Sequence, residues 1–276
     1  PDNLLRGQSM NNDYDQVIIS HYDEVAIQDK DQATSTMANL YVRDAETVFI
    51  KNAIESFIET KKDSEIKVLD VGCGNGYTLE QLSSCLPNLS YAGLEFTDSL
   101  RDIANSTLSS KSIDVKGGDI RDKQSLNDYE VDILICQRVI INLLDQTDQE
   151  TALKNLVEIV KDGGLLIFIE CFQSGLDSLN KAREEFKIEP LPPAHHNLYL
   201  NDEFFNIPSL EEFDLSQKEF LSSHYFVSRV IHQYYLNLGG LEFHRNSEFV
   251  SFMTDAMPDN IGTYSPIKFC SYKKLA

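Results

Sequence analysis

Three glycines in alternate positions follow a short apolar segment, a pattern that can form a ligand site. Residues 66–71 are mostly apolar or β-branched and predict a buried strand. Gly72, Gly74 and Gly76 carry no Cβ, so the backbone can take positive φ angles and a ligand can approach it closely. Residues 77–85 then predict a helix whose first N–H groups are free. The pattern predicts a nucleotide-type site.

The spacing of the glycines indicates which kind of nucleotide this site would take. A dinucleotide fingerprint is G-x-G-x-x-G, whereas here the third glycine comes one residue earlier and the acidic Asp70 ends the strand. Glycine turns also end ordinary strands, so a purely structural turn remains an alternative for this motif taken alone.

Two further acidic residues follow the next predicted strands. Glu95 lies about 20 residues beyond the last glycine, the offset at which a carboxylate accepts hydrogen bonds from ribose hydroxyls. Asp119 follows the third predicted strand and could accept a hydrogen bond from an adenine amino group, with Ile120 packing on the ring. An Asx-turn is the alternative for Asp119. Together with Asp70, these positions favour ligand contact.

The predicted secondary structure places all of these residues at one edge of a sheet. Strands alternate with helices, which implies a doubly wound, mostly parallel α/β sheet. Ligands bind such a sheet beyond the carboxyl ends of its strands. The predicted strands cover residues 66–71, 89–96, 112–115, 131–136 and 165–170, and the predicted helices cover residues 37–58, 77–85, 97–108, 149–160 and 178–187.

Residues 66–170 resemble the core of the class I S-adenosylmethionine (SAM)-dependent methyltransferases. The resemblance rests on residues 68–76 as the glycine-rich first motif and on the acids after the second and third strands. It continues through residues 131–138 as the fourth motif and residues 156–169 as a helix, a Gly-Gly turn and the fifth strand. A finer and less specific similarity is to bacterial small-molecule and carbohydrate methyltransferases.

The resemblance implies SAM as the methyl donor, S-adenosylhomocysteine (SAH) as the product, and a set of cofactor contacts. The glycine loop would border the methionine part, Asp70 and the region of Gln137 would hold its ammonium group, and Glu95 would hold the ribose. Arg43 could hold a ligand carboxylate through a bidentate pair, although a solvated or helix-paired arginine is the alternative. The expected cofactor-binding residues are Arg43, Asp70, Gly72, Cys73, Gly74, Gly76, Glu95, Phe96, Asp119, Ile120 and Gln137.

Four residues could act on the methyl acceptor. Transfer from a sulfonium needs a positioned nucleophile, exclusion of water and sometimes a base. Arg138 follows the fourth strand and could anchor a carboxylate, a phosphate or a sugar acid, with an internal salt bridge as the alternative. Either His195 or His196 could be a general base for a hydroxyl acceptor, the other being a loop residue. Tyr199 completes the expected catalytic set.

Two parts of the chain are expected to surround this core. Residues 1–61 would form a helical N-terminal arm and cap helix. Residues 1–36 are rich in Asp, Asn, Gln and Ser, contain the pair His21-Tyr22, and are expected to form mostly an arm without its own core.

Residues 62–276 would form the methyltransferase domain. The resemblance implies seven strands with an antiparallel last strand, the final two covering residues 213–220 and 264–272. Insertions at about residues 174–210 and 225–262 would form a lid over the substrate.

Composition limits the partners that this chain is expected to have. Its formal charge of −20 and isoelectric point near 4.6 argue against nucleic acid as a partner. It has no polybasic stretch and no apolar run long enough to cross a bilayer, so we expect no membrane partner and a cytoplasmic location. The 5 scattered cysteines suit reduced thiols, and no Cys/His cluster predicts a metal. A homodimer formed through the N-terminal helix or the region of Tyr234 is possible.

Three functions are compatible with the sequence. The first is methyl transfer to a small molecule, acting on an oxygen of an anionic or sugar-like metabolite. The second is transfer to a macromolecule, with protein or lipid favoured over nucleic acid by the charge. The third is SAM binding without catalysis, which the acidic residues alone do not distinguish from the first two.

Overall fold

Seven strands form one mixed sheet in the computed structural model, which describes residues 14–59, 61, 65–213, 221–258 and 260–276. The strands are β1 (Lys67–Val71), β2 (Ser90–Glu95), β3 (Asp114–Gly117), β4 (Val131–Gln137), β5 (Val160–Cys171), β6 (Leu210–Glu212) and β7 (Ile267–Lys274). Their order is β3-β2-β1-β4-β5-β7-β6. β7 pairs antiparallel with β5 and β6, and the other pairs are parallel. The predicted doubly wound sheet with an antiparallel last strand is therefore confirmed.

Ten α-helices lie within these described ranges. They are α1 (Asp15–Asp29), α2 (Leu40–Ile58), α3 (Tyr77–Cys85), α4 (Asp98–Leu108), α5 (Lys123–Leu126), α6 (Gln146–Glu158), α7 (Gln173–Glu185), α8 (Ser222–Phe226), α9 (His232–Gly239) and α10 (Glu248–Asp255). A 3₁₀ turn covers Ile140–Asn142, and a π-helical segment, Val227–Ile231, joins α8 to α9. No helix of the described part is both long enough and apolar enough to cross a bilayer.

The site is positioned by the change in strand order beside β1. β1 pairs with β2 on one side and with β4 on the other, so the connections leaving these strands diverge. In an open α/β sheet this divergence leaves a crevice beyond the carboxyl ends of the strands. The strands themselves are rigidly held, because Leu69, Ile135 and Phe168 at the centre of the sheet are fully buried.

Helix α2 packs its apolar stripe against the far half of the sheet. Phe49, Ile50, Ile54 and Phe57 are buried, as a helical repeat of apolar residues predicts. The Phe49 ring stacks on Phe269 of β7 with the ring centroids 4.9 Å apart. The helix begins at Leu40 rather than near residue 37, because the side chain of the preceding Asn39 accepts a hydrogen bond from the Val42 N–H and caps it.

The described part of the N-terminal arm contains a helix. Residues 14–36 include the 15-residue helix α1, which packs on α4. Ile18 and Ala26 of α1 are buried, and its Asp15 is 3% exposed. These contacts are with parts of the chain that are distant in sequence, so the sequence of the arm did not indicate them. Residues 1–13 lie outside the described residues.

The last part of the chain also differs in detail. The sixth strand of the described part is the short β6, and residues 214–220 of the strand expected at 213–220 lie outside the described part. The segments at about 174–210 and 225–262 contain α7 and the helices α8 to α10. Large apolar side chains are exposed on the second of them, including Tyr235, Leu238 and Phe252.

Candidate active site

A cleft opens beyond the carboxyl ends of β1, β2, β3 and β4. About 940 Å³ of space between protein atoms lies within it, part of which is open to solvent. The expected site residues that line it are Arg43, Gly72, Cys73, Gly74, Glu95, Phe96, Asp119, Ile120, Gln137 and Arg138. The others, Asp70, Gly76, His195, His196 and Tyr199, are not among its described lining residues.

The glycine loop between β1 and α3 forms one side of the cleft. Gly72, Gly74 and Gly76 have φ angles of 63°, 57° and 82°, which strongly favour glycine. A Cβ on Gly72 would lie 2.4 Å from Val139 Cγ2, and a Cβ on Gly74 would lie 3.0 Å from Thr36 Cγ2. The loop therefore combines a left-handed backbone with close neighbours, and Gly76 also starts helix α3.

Asp70 is a buried carboxylate without a hydrogen-bond partner. It is 1% exposed, and neither of its carboxylate oxygens bonds to any group among the described residues. Burial, followed by the nearby charge of Glu95, raises the pKa of Asp70 to about 8, while Arg43 opposes the shift. Asp70 does not line the cleft, but both of these neighbours do. The group is arranged to interact with a cation placed in this part of the cleft.

Two side-chain donors, Arg43 and Gln137, line the cleft. Arg43 donates from Nη2 to Thr36 Oγ1 at 2.7 Å and lies over the Tyr77 ring. Burial lowers the pKa of Arg43 to about 10, so it remains a cation at neutral pH. Gln137 accepts a hydrogen bond from Thr78 Oγ1 at 2.8 Å, which leaves its buried Nε2 without an acceptor. A carboxylate between Arg43 and Gln137 would satisfy both donors.

Glu95 ends β2 and holds the glycine loop. Its Oε2 accepts the Gly74 N–H at 2.8 Å, and its Oε1 accepts the Thr97 N–H at 2.8 Å. Burial raises its pKa, and these two backbone donors oppose the shift. Each carboxylate oxygen can accept a second hydrogen bond, so Glu95 can still bind ligand hydroxyls from the cleft. Cys73 and Phe96 also line the cleft.

Arg121 connects Asp119 to helix α1, and the sequence did not indicate this role. Its guanidinium donates to Asp15 at 2.9 and 3.1 Å and to Asp119 at 2.6 Å, while Asp148 lies 3.5 Å away. Burial alone would lower the pKa of Arg121, but the hydrogen bonds to Asp119 and Asp15 raise it. Tyr14 donates to Asp148 and also accepts from Arg121. Asp119 therefore faces the cleft as part of an ion-pair network.

Helix α1 provides a cover over the cleft that sequence reasoning missed. Asp15, Ile18 and Tyr22 of α1 line the cleft together with Tyr14. The spacing of Ile18, Tyr22 and Ala26, each four residues apart, is a helical repeat that could have indicated this face. No residue of 174–210 or 225–262 is among the described lining residues, so a lid formed by these segments stays a prediction.

Arg138 lies where β4 ends and has an unusual backbone. Its φ of 54° is uncommon for a residue with a side chain and marks a constrained position. Its Nη1 pairs with the fully buried Glu46 of α2, and the charge of Glu46 raises the pKa of Arg138 against the opposing effect of burial. Asn142 donates to the Tyr22 hydroxyl at 2.8 Å, but its Oδ1 has no partner among the described residues. Arg138, Asn142 and Tyr22 line the cleft, and Glu46 is not among its described lining residues. The side of the cleft at the end of β4 therefore offers a cation, Arg138, and an acceptor without a partner among the described residues, Asn142 Oδ1.

Glu170 at the end of β5 holds the loop that carries Arg138. It accepts the N–H groups of Val139, Ile140 and Ile141 at 3.1, 3.0 and 3.4 Å. Burial raises the pKa of Glu170 to about 7, and the three backbone donors oppose the shift. The carboxylate acts as the cap of the 3₁₀ turn, so it positions this side of the cleft without lining it.

The two histidines expected to act as bases lie outside the cleft lining. The ring of His196 stacks on that of His21 with centroids 3.8 Å apart, and the ring of His195 stands edge-on to His196 at 5.0 Å. Tyr22, which lines the cleft, is 6.3 Å from the His196 ring. Burial, followed by the neighbouring histidines, lowers the pKa of His196 to about 4. The proposed base role is therefore still only a prediction.

Tyr199 lies in the first insertion, beside the second. Burial raises its pKa, and it interacts electrostatically with Cys171, Tyr225 and Arg229. Its hydroxyl therefore stays protonated at neutral pH and can only act as a hydrogen-bond donor or acceptor there. Its role in catalysis stays a prediction.

The unsatisfied groups of the cleft fit the polar parts of SAM. The unpartnered carboxylate of Asp70 suits the methionine ammonium, and Arg43 with Gln137 Nε2 offers donors to the methionine carboxylate. Glu95 retains acceptor capacity for ribose hydroxyls. The side-chain donor of Gln137 suits the carboxylate better than the ammonium group expected near this residue. The fold and the cleft are those of a class I SAM-dependent methyltransferase.

Comparisons with known proteins agree with this class. Residues 68–164 match a family model described as "Methyltransferase domain". The malonyl-[acyl-carrier protein] O-methyltransferase of Bacillus cereus is 28% identical over 169 residues, which are 60% of this chain and 60% of that protein. The protein of the same name from Bacillus anthracis is 27% identical over 163 residues, 57% of this chain and 58% of that protein.

One solved structure aligns over nearly the whole chain. It is the N-methyltransferase NodS from Bradyrhizobium japonicum in complex with SAH, with a TM-score of 0.56 and 13% identity over 93% of this chain and 97% of that one. At this identity the likeness shows the fold alone. The chain spans about 60% of the length of the curated relatives that it matches.

Proposed function

We propose that the protein uses SAM to methylate an oxygen of a small anionic acceptor, and that the reacting group is a carboxylate. When bound, SAM supplies a methyl group on a sulfonium, which an acceptor oxygen takes in one displacement. The observation that carries the proposal is Arg138, a guanidinium lining the cleft at the end of β4, in a site where no described lining residue is a histidine.

Arg138 supports an anionic acceptor. A guanidinium has five N–H donors, and the structure uses one nitrogen for the pair with Glu46, so the group retains donors for a second carboxylate. Because Glu46 holds Arg138 in place, an incoming carboxylate would meet a cation whose orientation is already determined. Asn142 Oδ1, free among the described residues, would accept from an acceptor hydroxyl or amide.

The absence of histidine from the described lining of the cleft favours a carboxylate over a hydroxyl. A carboxylate is already ionised at neutral pH and can attack the methyl carbon directly, forming a C–O bond while the C–S bond breaks. No proton has to move. A sugar hydroxyl would need a base, and the histidines of the described part lie outside the lining, with the pKa of His196 lowered to about 4.

The named activity of the Bacillus relatives supports the same choice. By name, these relatives methylate an oxygen of a malonyl group carried on an acyl-carrier protein, and a malonyl group presents a carboxylate. A carrier-linked carboxylic acid is therefore the second candidate for the acceptor. Because the match covers about 60% of these relatives' length, we propose the same kind of reacting group, a carboxylate, and not the same substrate.

The test uses methyl-labelled SAM with the purified protein and an extract of its own source, separated by molecular size. We expect label in the small-molecule fraction, released as methanol by mild alkali because a methyl ester is base-labile. Label in macromolecules that alkali also releases would support the carrier-linked acceptor. Label that survives alkali would contradict the carboxylate, since methyl ethers and methylamines are stable.

The matched variants are Arg138→Gln and Arg245→Gln. Loss of a hydrogen bond to a charged group costs about 1.5–3 kcal/mol, so Arg138→Gln should lower kcat/KM for the acceptor about 10- to 100-fold. Its affinity for SAH should change less than threefold, which also confirms that it is folded. Arg245→Gln replaces an exposed arginine in the second insertion and should leave kcat/KM for the acceptor unchanged. SAH binding without any labelled product in the wild type would favour a non-catalytic role.

A further inference from the structure

Three histidines meet beside helix α1, although the sequence predicted no metal site. His21 of α1 and the adjacent His195 and His196 of the segment after α7 each offer a ring nitrogen, and these atoms all lie within 4.8 Å of one another. The two parts of the chain are far apart in sequence. Nothing in the methyl-transfer proposal uses this group.

We propose that His21, His195 and His196 form a site for a divalent transition metal of the zinc type, which fastens helix α1 to the segment after α7. Imidazole is a ligand that Zn²⁺, Co²⁺ and Ni²⁺ accept well, and three histidines with a water in the fourth position form an established tetrahedral arrangement.

The distances suit such a site after a small adjustment. Zn–N bonds of about 2.0–2.1 Å at tetrahedral angles place the ligand nitrogens about 3.3 Å apart. The observed separations of at most 4.8 Å therefore have to shorten by no more than about 1.5 Å. His195 is exposed and lies in a loop, so rotation of its side chain can supply much of this change.

The hydrogen bonding of His196 also points to a missing partner. Its Nδ1 is buried and has no hydrogen-bond partner among the described residues. A buried polar nitrogen without a partner costs free energy, and a metal ion would satisfy it. The stacked and edge-on rings place three bases side by side without an acidic hydrogen-bond partner for this nitrogen.

The location determines what the metal would do. Tyr22 follows His21 directly in α1, lines the cleft, and accepts a hydrogen bond from Asn142. The histidines themselves do not line the cleft, so the metal would not contact the acceptor. It would instead hold α1 over the cleft, six residues along the helix from Asp15, which pairs with Arg121.

The test measures metal binding with the metal alone. Protein freed of metal with a chelator is titrated with Zn²⁺ by calorimetry and with Co²⁺ by its visible absorption, and Mg²⁺ serves as a hard cation that imidazoles bind poorly. We expect one Zn²⁺ or Co²⁺ per chain, a Co²⁺ spectrum typical of tetrahedral coordination, and no binding of Mg²⁺.

The matched variants are His195→Ala and His244→Ala, because both histidines are exposed and lie in loops. His195→Ala should weaken Zn²⁺ binding by at least about 10- to 100-fold, the loss seen when even an outer partner of a metal ligand is removed. His244→Ala should bind Zn²⁺ like the wild type. Equal affinity in both variants, or no stoichiometric Zn²⁺ binding by the wild type, would overturn the proposal.

A second measurement tests the connection to α1. Amide hydrogen exchange of α1 should slow in the wild type when Zn²⁺ is added and should not change in His195→Ala. Zn²⁺ binding without any added protection of α1 would overturn the fastening role. Both measurements omit SAM and any acceptor, so failure of the methyl-transfer proposal leaves them unaffected.

Discussion

Asp70 should make the binding of SAM and SAH depend on pH. In the free protein, burial and Glu95 raise the pKa of Asp70 to about 8. A ligand ammonium next to it would lower that pKa towards or below its ordinary value of about 3.9, because the charged form would then have a partner. Below pH 8 the carboxyl group is protonated in the free protein and ionised in the complex. Binding therefore releases a proton, and affinity rises with pH.

The magnitude follows from the same shift. Each pH unit below about 8 should change the dissociation constant by up to tenfold, or about 1.36 kcal/mol. Between about pH 6 and pH 7.5 the affinity for SAH should therefore increase about 30-fold, or about 2 kcal/mol. The range stays below the pKa of an α-amino group, near 7.7–8.0, so the ligand remains mostly cationic.

Calorimetric titration with SAH in buffers of different ionisation enthalpy measures both the affinity and the number of protons released. Asp70→Asn keeps the shape of the side chain but cannot ionise, so its SAH affinity should be nearly independent of pH in this range. Glu95→Gln should bind SAH more weakly, but its affinity should still rise with pH. Because the charge of Glu95 helps to raise the pKa of Asp70, the affinity of this variant should reach its plateau at a lower pH than that of the wild type. A wild-type slope equal to that of Asp70→Asn would refute the reasoning.

Three further predictions concern the parts that shape the cleft. Gly72→Ala should lower the free energy of unfolding by about 1–3 kcal/mol and abolish SAH binding, because the new Cβ would lie 2.4 Å from Val139 Cγ2 at a φ of 63°. Thermal unfolding and calorimetric titration with SAH measure the two effects, and a variant equal to the wild type in both would contradict the prediction. The raised pKa of Glu170, about 7, means that the folded state holds its proton more tightly than the unfolded state does. The free energy of unfolding should therefore fall by about 3 kcal/mol as pH rises from about 4.5 to about 7. Urea unfolding should show that this decrease is lost in Glu170→Gln, and identical pH profiles of variant and wild type would contradict the prediction. Arg121→Met should destabilise the protein by about 3–5 kcal/mol, because it removes the cation that pairs with the buried Asp15, and should expose α1 to hydrogen exchange. Protection of α1 equal to that of the wild type would count against the ion-pair network.

The central sheet could be predicted from the sequence because its signals are local. The glycine turn after β1 forces the chain out of the strand, and α3 begins and ends at Tyr77 and Cys85 as predicted. Apolar runs between turn signals place β2 and β4 within one or two residues of their predicted bounds. Most of the expected cofactor-binding residues line the cleft because they follow strands whose carboxyl ends share one edge.

Features that depend on distant partners could not be predicted in this way. Helix α1 has a weak apolar repeat, and its position depends on Asp15 pairing with Arg121, more than 100 residues away in sequence. Arg138 was expected to be free or paired, and the sequence did not indicate that its partner would be Glu46 of α2. The approach of His21 to His195 and His196 also depends on tertiary packing, so a search by sequence spacing does not find this group.

A crystal structure of the protein with SAH would test the account most directly. The account predicts that SAH lies in the cleft beside the glycine loop, with ribose hydroxyls within hydrogen-bond distance of Glu95 and the ammonium group on the side of Asp70. Its sulfur should face Arg138. SAH bound elsewhere, or in the cleft with its sulfur turned away from Arg138, would contradict the proposed site and the assignment of the acceptor anchor.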